Sequence, residues 1–355
     1  MSTSSPVRVL VIDDSALMRQ LLSALLSGDP EIEVIGTAND PFMARDRIKA
    51  LNPDVITLDI EMPQMDGLTF LRKLMELRPM PVVMCSTLTQ AGADATLQAL
   101  EIGAVDFISK PTGNVAGAMD DLGMELRAKV KMAARARVTA RRAMPERVPV
   151  RRAQLGGMAE KIIVMGASTG GVEALTKVLV HLPSDTPPIL VTQHMPPRFT
   201  GAFANRLNNE CPMTIHEAVH DQPVERGHVY IAPGAHHLEL ARRNGRFHCL
   251  LHDQEPVSGH RPSVDVLFRS AARIAGPITI GVILTGMGKD GAEGMLELRH
   301  ARAITLGQDE ASSLIYGMPR AAFERGAVMH QHSLTKMSDA ILAACSEAAP
   351  AMAGA

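Results

Sequence analysis

Short runs of β-branched and aliphatic residues alternate along the chain with longer stretches in which apolar positions recur every three or four residues, and this alternation begins twice. The first series is VRVLVIDDS (7–15), EVIGTA (33–38), DVITLDI (54–60), PVVMCST (81–87) and AVDFISK (104–110). Helical spacing lies between these runs. In ALMRQLLSALL (16–26), Leu17, Leu21 and Leu25 recur four apart beside Met18 and Leu22, which makes one apolar helix face. Five strands alternating with helices predict a doubly wound, flavodoxin-like parallel sheet, with its chemistry outside the carboxyl ends of the strands.

The second series is KIIVMGASTGG (161–171), PILVTQHMPPRF (188–199), GHVYIAPGAHHLEL (227–240), RFHCLLHD (246–253), ITIGVILTGMGKDG (278–291) and AITLGQD (303–309). It predicts a second α/β domain built on a mainly parallel sheet. The HVYIAP and HHLEL runs, split by Gly234, are expected to pair as an antiparallel hairpin attached to that sheet. The resulting division is a first domain over 1–125, a linker over 126–158, a second domain over 159–345 and a flexible tail over 346–355. The length of 355 residues fits two domains of about 150 residues each.

Composition narrows the function classes. A net charge of −2 gives no global field towards nucleic acid or membrane. The opening MSTSSP has neither the basic nor the apolar segment of a secretion signal, and no apolar run reaches the roughly 18–20 residues of a membrane span. Cys85, Cys211, Cys249 and Cys345 lie far apart with no CxxC, so neither a zinc knuckle nor a disulfide framework is expected. A cytoplasmic protein with no direct membrane insertion is the expectation.

One segment is strongly basic. Lys129, Lys131, Arg135, Arg137, Arg141, Arg142, Arg147, Arg151 and Arg152 face only Glu146, with helical spacing up to about residue 143 and breaks at Pro145 and Pro149. A nucleic-acid reading lacks interleaved aromatics and a helix–turn–helix pair. A solvated hinge, or a strip lying on an acidic surface, accounts for the segment without a nucleic-acid partner.

At the strand ends of the first domain fall Asp13, Asp14, Asp59, Ser86 or Thr87, and Lys110. Converging carboxylates are costly without a cation, and hard oxygen ligands favour Mg²⁺. The DD pair, LDIEMPQMDG around Asp59, the Ser86/Thr87 pair and the SKP at Lys110 closely resemble the receiver domain of two-component response regulators, over residues 6–125. That resemblance implies that Asp59 accepts a phosphoryl group from a histidine kinase, with Mg²⁺ held by Asp13 or Asp14 together with Asp59. Lys110 would pair with the phosphoryl oxygens, Ser86 or its neighbour Thr87 would be the switch hydroxyl, and Phe107 the switch aromatic.

In the second domain, Gly166 to Gly170 fits G-x-S-x-G and leaves Ser168 at a glycine turn between strand and helix. An N-capping serine, or a turn cradling a phosphate, is the bland alternative. His194 ends the PILVTQ strand, and Asp290 follows the ITIGVILT strand. In an open parallel sheet such ends gather along one edge, and the three residue types are those of acyl transfer: a nucleophile, the base that takes its proton, and the carboxylate that orients the base. The chain order Ser–His–Asp departs from the Ser–Asp–His of α/β-hydrolases.

Two decoys compete. GMGKDG (286–291) is a literal G-x-G-x-x-G with Asp309 about twenty residues on, the fingerprint of a dinucleotide site. Under that reading the chain is a non-enzymatic response regulator with a nucleotide-binding output domain. It leaves Ser168 and His194 without a role. His236 and His237 are adjacent, so in a strand they face opposite sides, and no helical ligand pair such as HExxH occurs; no metal or other cofactor is expected in this domain.

GASTGG, TQHMP, YIAPG, SGHRPSVDVLF (258–268) and LTGMGKDGAEG together resemble the catalytic domain of the chemotaxis protein-glutamate methylesterase family, over about 160–345. The resemblance implies that Ser168 is the nucleophile, His194 the base and Asp290 its orienting carboxylate. Main-chain N–H groups near Thr169 and Met287 would bind the oxyanion. The implied reaction is hydrolysis of glutamate γ-methyl esters on the cytoplasmic helices of chemoreceptors, with deamidation of receptor glutamines at the same site. The phosphodonor would be the chemotaxis histidine kinase, and the unphosphorylated receiver would cover the site around Ser168.

Overall fold

The computed structural model describes residues 5–63, 65–87, 89–110, 116–138 and 161–347. Its internal contacts divide the chain into two compact units, with the split between Met144 and Pro145.

The first unit runs β1 (Val7–Ile12), α1 (Ala16–Ser27), β2 (Ile32–Ala38), α2 (Pro41–Leu51), β3 (Val55–Asp59), α3 (Gly67–Leu77), β4 (Val82–Ser86), α4 (Gln90–Ile102), β5 (Asp106–Ser109) and α5 (Ala116–Ala133). The five strands form one parallel sheet in the order β2-β1-β3-β4-β5. Covered on both faces by helices, β1, β3 and β4 are apolar almost throughout, as parallel strands must be. The helix starts are written in the sequence: Ser15, Asp40, Asp66 and Thr89 each accept a main-chain N–H of the first turn. The order turns back between β1 and β3, so Asp13 and Asp59 border the crevice where such sheets bind ligands.

The last helix of this unit does not stop at residue 125. It continues to Ala133 and buries Leu126, Val130, Met132 and Ala133. Lys129 pairs with Asp106 (3.3 Å) and Glu125 (2.7 Å), and Lys131 with Asp29 (2.7 Å) and Glu31 (2.9 Å). The first two cations of the basic stretch are therefore ion-pair partners within the first unit rather than part of a hinge. Arg141, Arg142, Glu146, Arg147, Arg151 and Arg152, and the tail beyond Glu347, lie outside the described residues.

The second unit runs β6 (Ile162–Ala167), α6 (Gly171–Leu179), β7 (Ile189–Gln193), α7 (Phe199–Glu210), β8 (Thr214–Glu217), β9 (His228–Ile231), β10 (His237–Arg243), β11 (Arg246–His252), α8 (Val264–Ile274), β12 (Thr279–Ile283), α9 (Ala292–His300), β13 (Ile304–Gln308), α10 (Met318–Glu324), β14 (His330–His332) and α11 (Leu334–Ser346). Seven strands form a wholly parallel sheet in the order β14-β13-β12-β6-β7-β9-β8. The hairpin exists, but between different strands from those expected. HVYI (β9) sits in the parallel sheet between β7 and β8, and HLELARR (β10) pairs antiparallel with RFHCLLH (β11).

The turn decides that pairing. Asn244 and Gly245, with φ of 50° and 80°, form the two-residue left-handed connection that matches the twist of a hairpin, whereas Gly234 merely separates two sheets. The inner face of the hairpin, Leu238, Leu240, Phe247 and Cys249, packs with Leu267, Phe268 and Ala271 of α8 into the core. This places α8, and the loop that leads into it, against the central strands of the sheet.

Candidate active site

Three neighbouring strands, β12, β6 and β7, carry the site. Ala167 of β6 pairs with Gln193 of β7, so Ser168 and His194 are each one step beyond paired strand ends. The ladder continues into the turn: the His194 N–H donates to the Ala167 carbonyl (3.1 Å), and the Ser168 N–H to the Thr285 carbonyl (3.1 Å). A side-chain rung follows, in which Gln193 Nε2 donates to the Ser168 carbonyl (2.9 Å) and the His194 carbonyl (3.1 Å). Gly171 makes room for it; a Cβ there would lie 2.0 Å from Gln193 Oε1. Ser168 itself stays outside the left-handed region, and the positive φ of the turn, 77°, falls on Gly170.

Asp290 arrives from the loop between β12 and α9. His194 Nε2 donates to its Oδ2 (2.7 Å). The same carboxylate accepts the Ser263 hydroxyl (2.8 Å) and the Asp265 N–H (3.2 Å) at Oδ1, and the Val264 N–H (2.7 Å) at Oδ2. Burial acts to raise this carboxyl, but the His194 hydrogen bond and charge, with the Val264 N–H and Ser263 hydroxyl, outweigh it and hold the group below the usual carboxylate range. Asp265 behaves in the opposite way. Burial and the neighbouring Asp290 charge push it up, against the Gly294 N–H it accepts at the start of α9.

With Nε2 engaged by Asp290, the other ring nitrogen of His194 is the one available as a base. Nδ1 is buried and has no hydrogen-bond partner among the described residues. The imidazole face is covered by His260, stacked with ring centroids 3.8 Å apart and planes within 12°. Two of the three GMGKDG glycines, Gly286 and Gly291, serve close packing here. A Cβ on Gly286 would lie 2.8 Å from Ser168 Cβ, and one on Gly291 2.5 Å from Val264 Cγ1, so this loop is a wedge that delivers Asp290 and lays the Gly286 main chain against the serine. Met287 is 40% exposed, and Thr169 is buried at the start of the turn to α6.

In the first unit, Lys110 Nζ bridges Asp13 Oδ2 (2.9 Å) and Asp59 Oδ1 (2.8 Å). Burial first, then the Asp13 charge, raises the Asp59 carboxyl to about 6 against the pull of Lys110. Burial acts to lower the Lys110 ammonium, but its bonds to Asp59 and Asp13 outweigh it and raise the group. Asp13, Asp14 and Asp59 each offer a carboxylate oxygen within 4.8 Å of the others, and Asp59 Oδ2 is buried with no hydrogen-bond partner among the described residues. That donor set fits a hard divalent cation. A Cβ on Gly67, the glycine of MDG, would lie 2.0 Å from the Asp59 carbonyl, so the glycine is a packing requirement of this site. The Ser86 hydroxyl donates to the Gly92 carbonyl (3.1 Å) and is buried; Thr87, half-buried, donates to Glu61 Oε1 (3.4 Å). Phe107 is buried beneath the Lys129 ammonium, 5.0 Å from its ring centroid.

Sequence reasoning named Ser168, His194 and Asp290 but missed Gln193, His260 and Ser263, which hold them. The SGHRPSVDVLF stretch contained two of the three. Its role depends on α8 lying against β6, a contact with no local signal.

Comparison with known proteins bears on both units. The family model described as CheB methylesterase matches residues 163–341, and that of the response regulator receiver domain matches residues 9–116. A protein-glutamate methylesterase/protein-glutamine glutaminase of Caulobacter vibrioides is 56% identical over 338 residues, covering 95% of this chain and 97% of its own. One of Xanthomonas campestris is 50% identical over 357 residues, covering 98% and 100%. The crystal structure of the Thermotoga maritima CheB methylesterase catalytic domain aligns with a TM-score of 0.51 at 36% identity, covering 52% of this chain and 98% of that one. The nucleotide-binding alternative finds no support among these relatives.

Proposed function

This chain belongs to the CheB methylesterase family and is a protein-glutamate methylesterase/protein-glutamine glutaminase with a phosphorylation-controlled receiver domain in front; we propose that Ser168, His194 and Asp290 carry its reaction. The observation behind this assignment is the His194 ring: bonded to Asp290 through Nε2, it keeps a buried Nδ1 with no hydrogen-bond partner among the described residues, on the strand end that pairs with the one before Ser168.

In the proposed reaction, Ser168 Oγ attacks the carbonyl carbon of a glutamate γ-methyl ester while its proton passes to His194 Nδ1. Asp290 keeps the Nε2–H tautomer and stabilises the imidazolium as it forms. The main-chain N–H groups of Thr169 and Met287 are the proposed donors to the developing oxyanion. His194 then returns the proton to the departing methoxide, so methanol leaves and a glutamyl ester on Ser168 remains. Water activated by the same nitrogen cleaves that ester. With a glutamine side chain the leaving group is ammonia.

In the receiver, Asp59 is the proposed phosphoryl acceptor, and a histidine kinase of the chemotaxis array is the proposed donor. Asp13, Asp14 and Asp59 are the residues that would hold Mg²⁺, which supplies positive charge against the phosphoryl oxygens. Lys110 would pair with those oxygens, and Ser86 or Thr87 together with Phe107 would register the change. The substrates proposed are the methylated cytoplasmic helices of chemoreceptors. Among the described residues no helix is long and apolar enough to cross a membrane.

The test is methanol release from methylated receptor fragments, with and without a small phosphodonor. Ser168→Ala is expected to abolish release; unchanged release would remove the serine from the mechanism.

A further inference from the structure

His237 is fully buried on β10, and the mechanism so far does not use it. Its two ring nitrogens have unambiguous partners. Nδ1 faces the Ser263 main-chain N–H at 3.2 Å, and Nε2 faces the Glu255 main-chain carbonyl at 3.2 Å. An amide N–H can only donate and a carbonyl can only accept, so Nδ1 carries the lone pair and Nε2 the proton. The ring is neutral in this arrangement. A proton on Nδ1 would set one N–H against another and leave the buried Ser263 amide without an acceptor. Burial pushes the imidazole below the ordinary histidine value; the Glu255 carbonyl acts against it, His252 and Arg261 act with it, and Asp290 against it.

Ser263 is the residue that ties His237 to the active site. Its hydroxyl donates to Asp290 Oδ1, and the next two amides, Val264 and Asp265, donate to the same carboxylate. Of the four hydrogen bonds on Asp290 among the described residues, three thus originate in one segment, the Ser263 hydroxyl and the two amides after it, whose leading N–H is held by His237. The fourth is the bond to His194. The chain of contacts runs Glu255 carbonyl, His237, Ser263, Asp290, His194, each a hydrogen bond with its donor fixed by chemistry.

We propose that His237 is a positioning residue for the methylesterase: as a neutral Nδ1 acceptor it holds the Ser263 backbone, and through it the orientation of Asp290 against His194. This rests on the Ser168–His194–Asp290 assignment. The role needs the acceptor at Nδ1 and not merely a ring of the right volume, because the amide it holds leads the stretch that carries the carboxylate.

The two nitrogens can be separated by substitution in the full-length chain. His237→Asn keeps an acceptor near the Nδ1 position and loses the donor to Glu255; His237→Gln keeps a donor near Nε2 and loses the acceptor to Ser263. The expected result is a kcat for His237→Asn within about threefold of the parent, and for His237→Gln at least about tenfold below it, the scale of one neutral hydrogen bond, with KM little changed in both. Equal losses in the two variants, or losses confined to KM, would overturn the proposal. Nitrogen-15 spectra of the parent protein test it without any substitution: a bare Nδ1 and a protonated Nε2 at neutral pH are expected, and the opposite tautomer or a charged ring would overturn it. Ser168→Ala separates the two levels of the argument. Activity that survives that change defeats the triad assignment itself, whereas activity lost there but indifferent to the His237 acceptor defeats only this inference.

Discussion

The His194 ring is constrained on two sides, by Asp290 at Nε2 and by His260 across its face, and this sets what single substitutions should do. Asp290→Asn keeps the volume, but its amide cannot both accept from His194 and match the Val264 and Ser263 donors. A kcat loss on the order of 10⁴-fold is expected, as when a triad carboxylate is made neutral, with KM within a few-fold in a methanol-release assay. In the receiver, the informative residue is Asp59. Its folded-state carboxyl titrates near 6 and its ordinary value is 3.8, so the folded protein binds the proton more tightly than the unfolded chain does. The contribution of Asp59 to stability is therefore most favourable below about pH 4 and declines through the window from 4 to 6, by up to about 3 kcal/mol. Asp59→Asn is expected to remove that decline: its urea midpoint should exceed the parent's at pH 7 and converge with it near pH 4. Ser168, His194 and Asp290 were legible in the sequence because each follows a recognisable strand end and belongs to a known chemical set. His237 and His260 were not, since a histidine on an apolar strand or in a polar loop carries no local mark of what lies across from it.

At the level of elements, the parallel strands were legible as continuous apolar runs and the helix starts as capping residues. The hairpin was misassigned because a glycine between two apolar runs was weighed above the Asn244-Gly245 pair, whose positive φ angles a right-twisted hairpin requires. Nothing lies within 4 Å of a Cβ on Gly245, so substitution there isolates the conformational term. Gly245→Val is expected to destabilise the second unit by about 1–2 kcal/mol, read as a lowered thermal midpoint, while Asn244→Gly should be nearly neutral. The helical spacing beyond residue 125 was legible, but it was assigned to the linker rather than to the first unit for a related reason. Lys129 and Lys131 raise the local charge, whereas Leu126, Val130 and Ala133 at helical spacing are the residues that decide burial.

For the whole molecule, two α/β units were legible from the two starts of the strand–helix alternation, and their order as receiver and esterase from the motifs at the strand ends and the families these resemble. On the proposed gating, a chain beginning near Ala159 should release methanol faster than the full, unphosphorylated chain, and a phosphodonor should close that gap. Equal rates would remove the receiver from control of Ser168. The parallel sheet of the second unit has one further consequence, for when activity can appear. Ser168 and Asp290 are placed by the pairing of β6 with β12, strands more than a hundred residues apart in the chain. Contacts of such separation form late in folding. A refolding chain should therefore regain its far-ultraviolet signal before it can cleave an ester. During synthesis the nucleophile, translated near the middle of the chain, waits for the carboxylate that orients its base until β12 and the loop after it have been made.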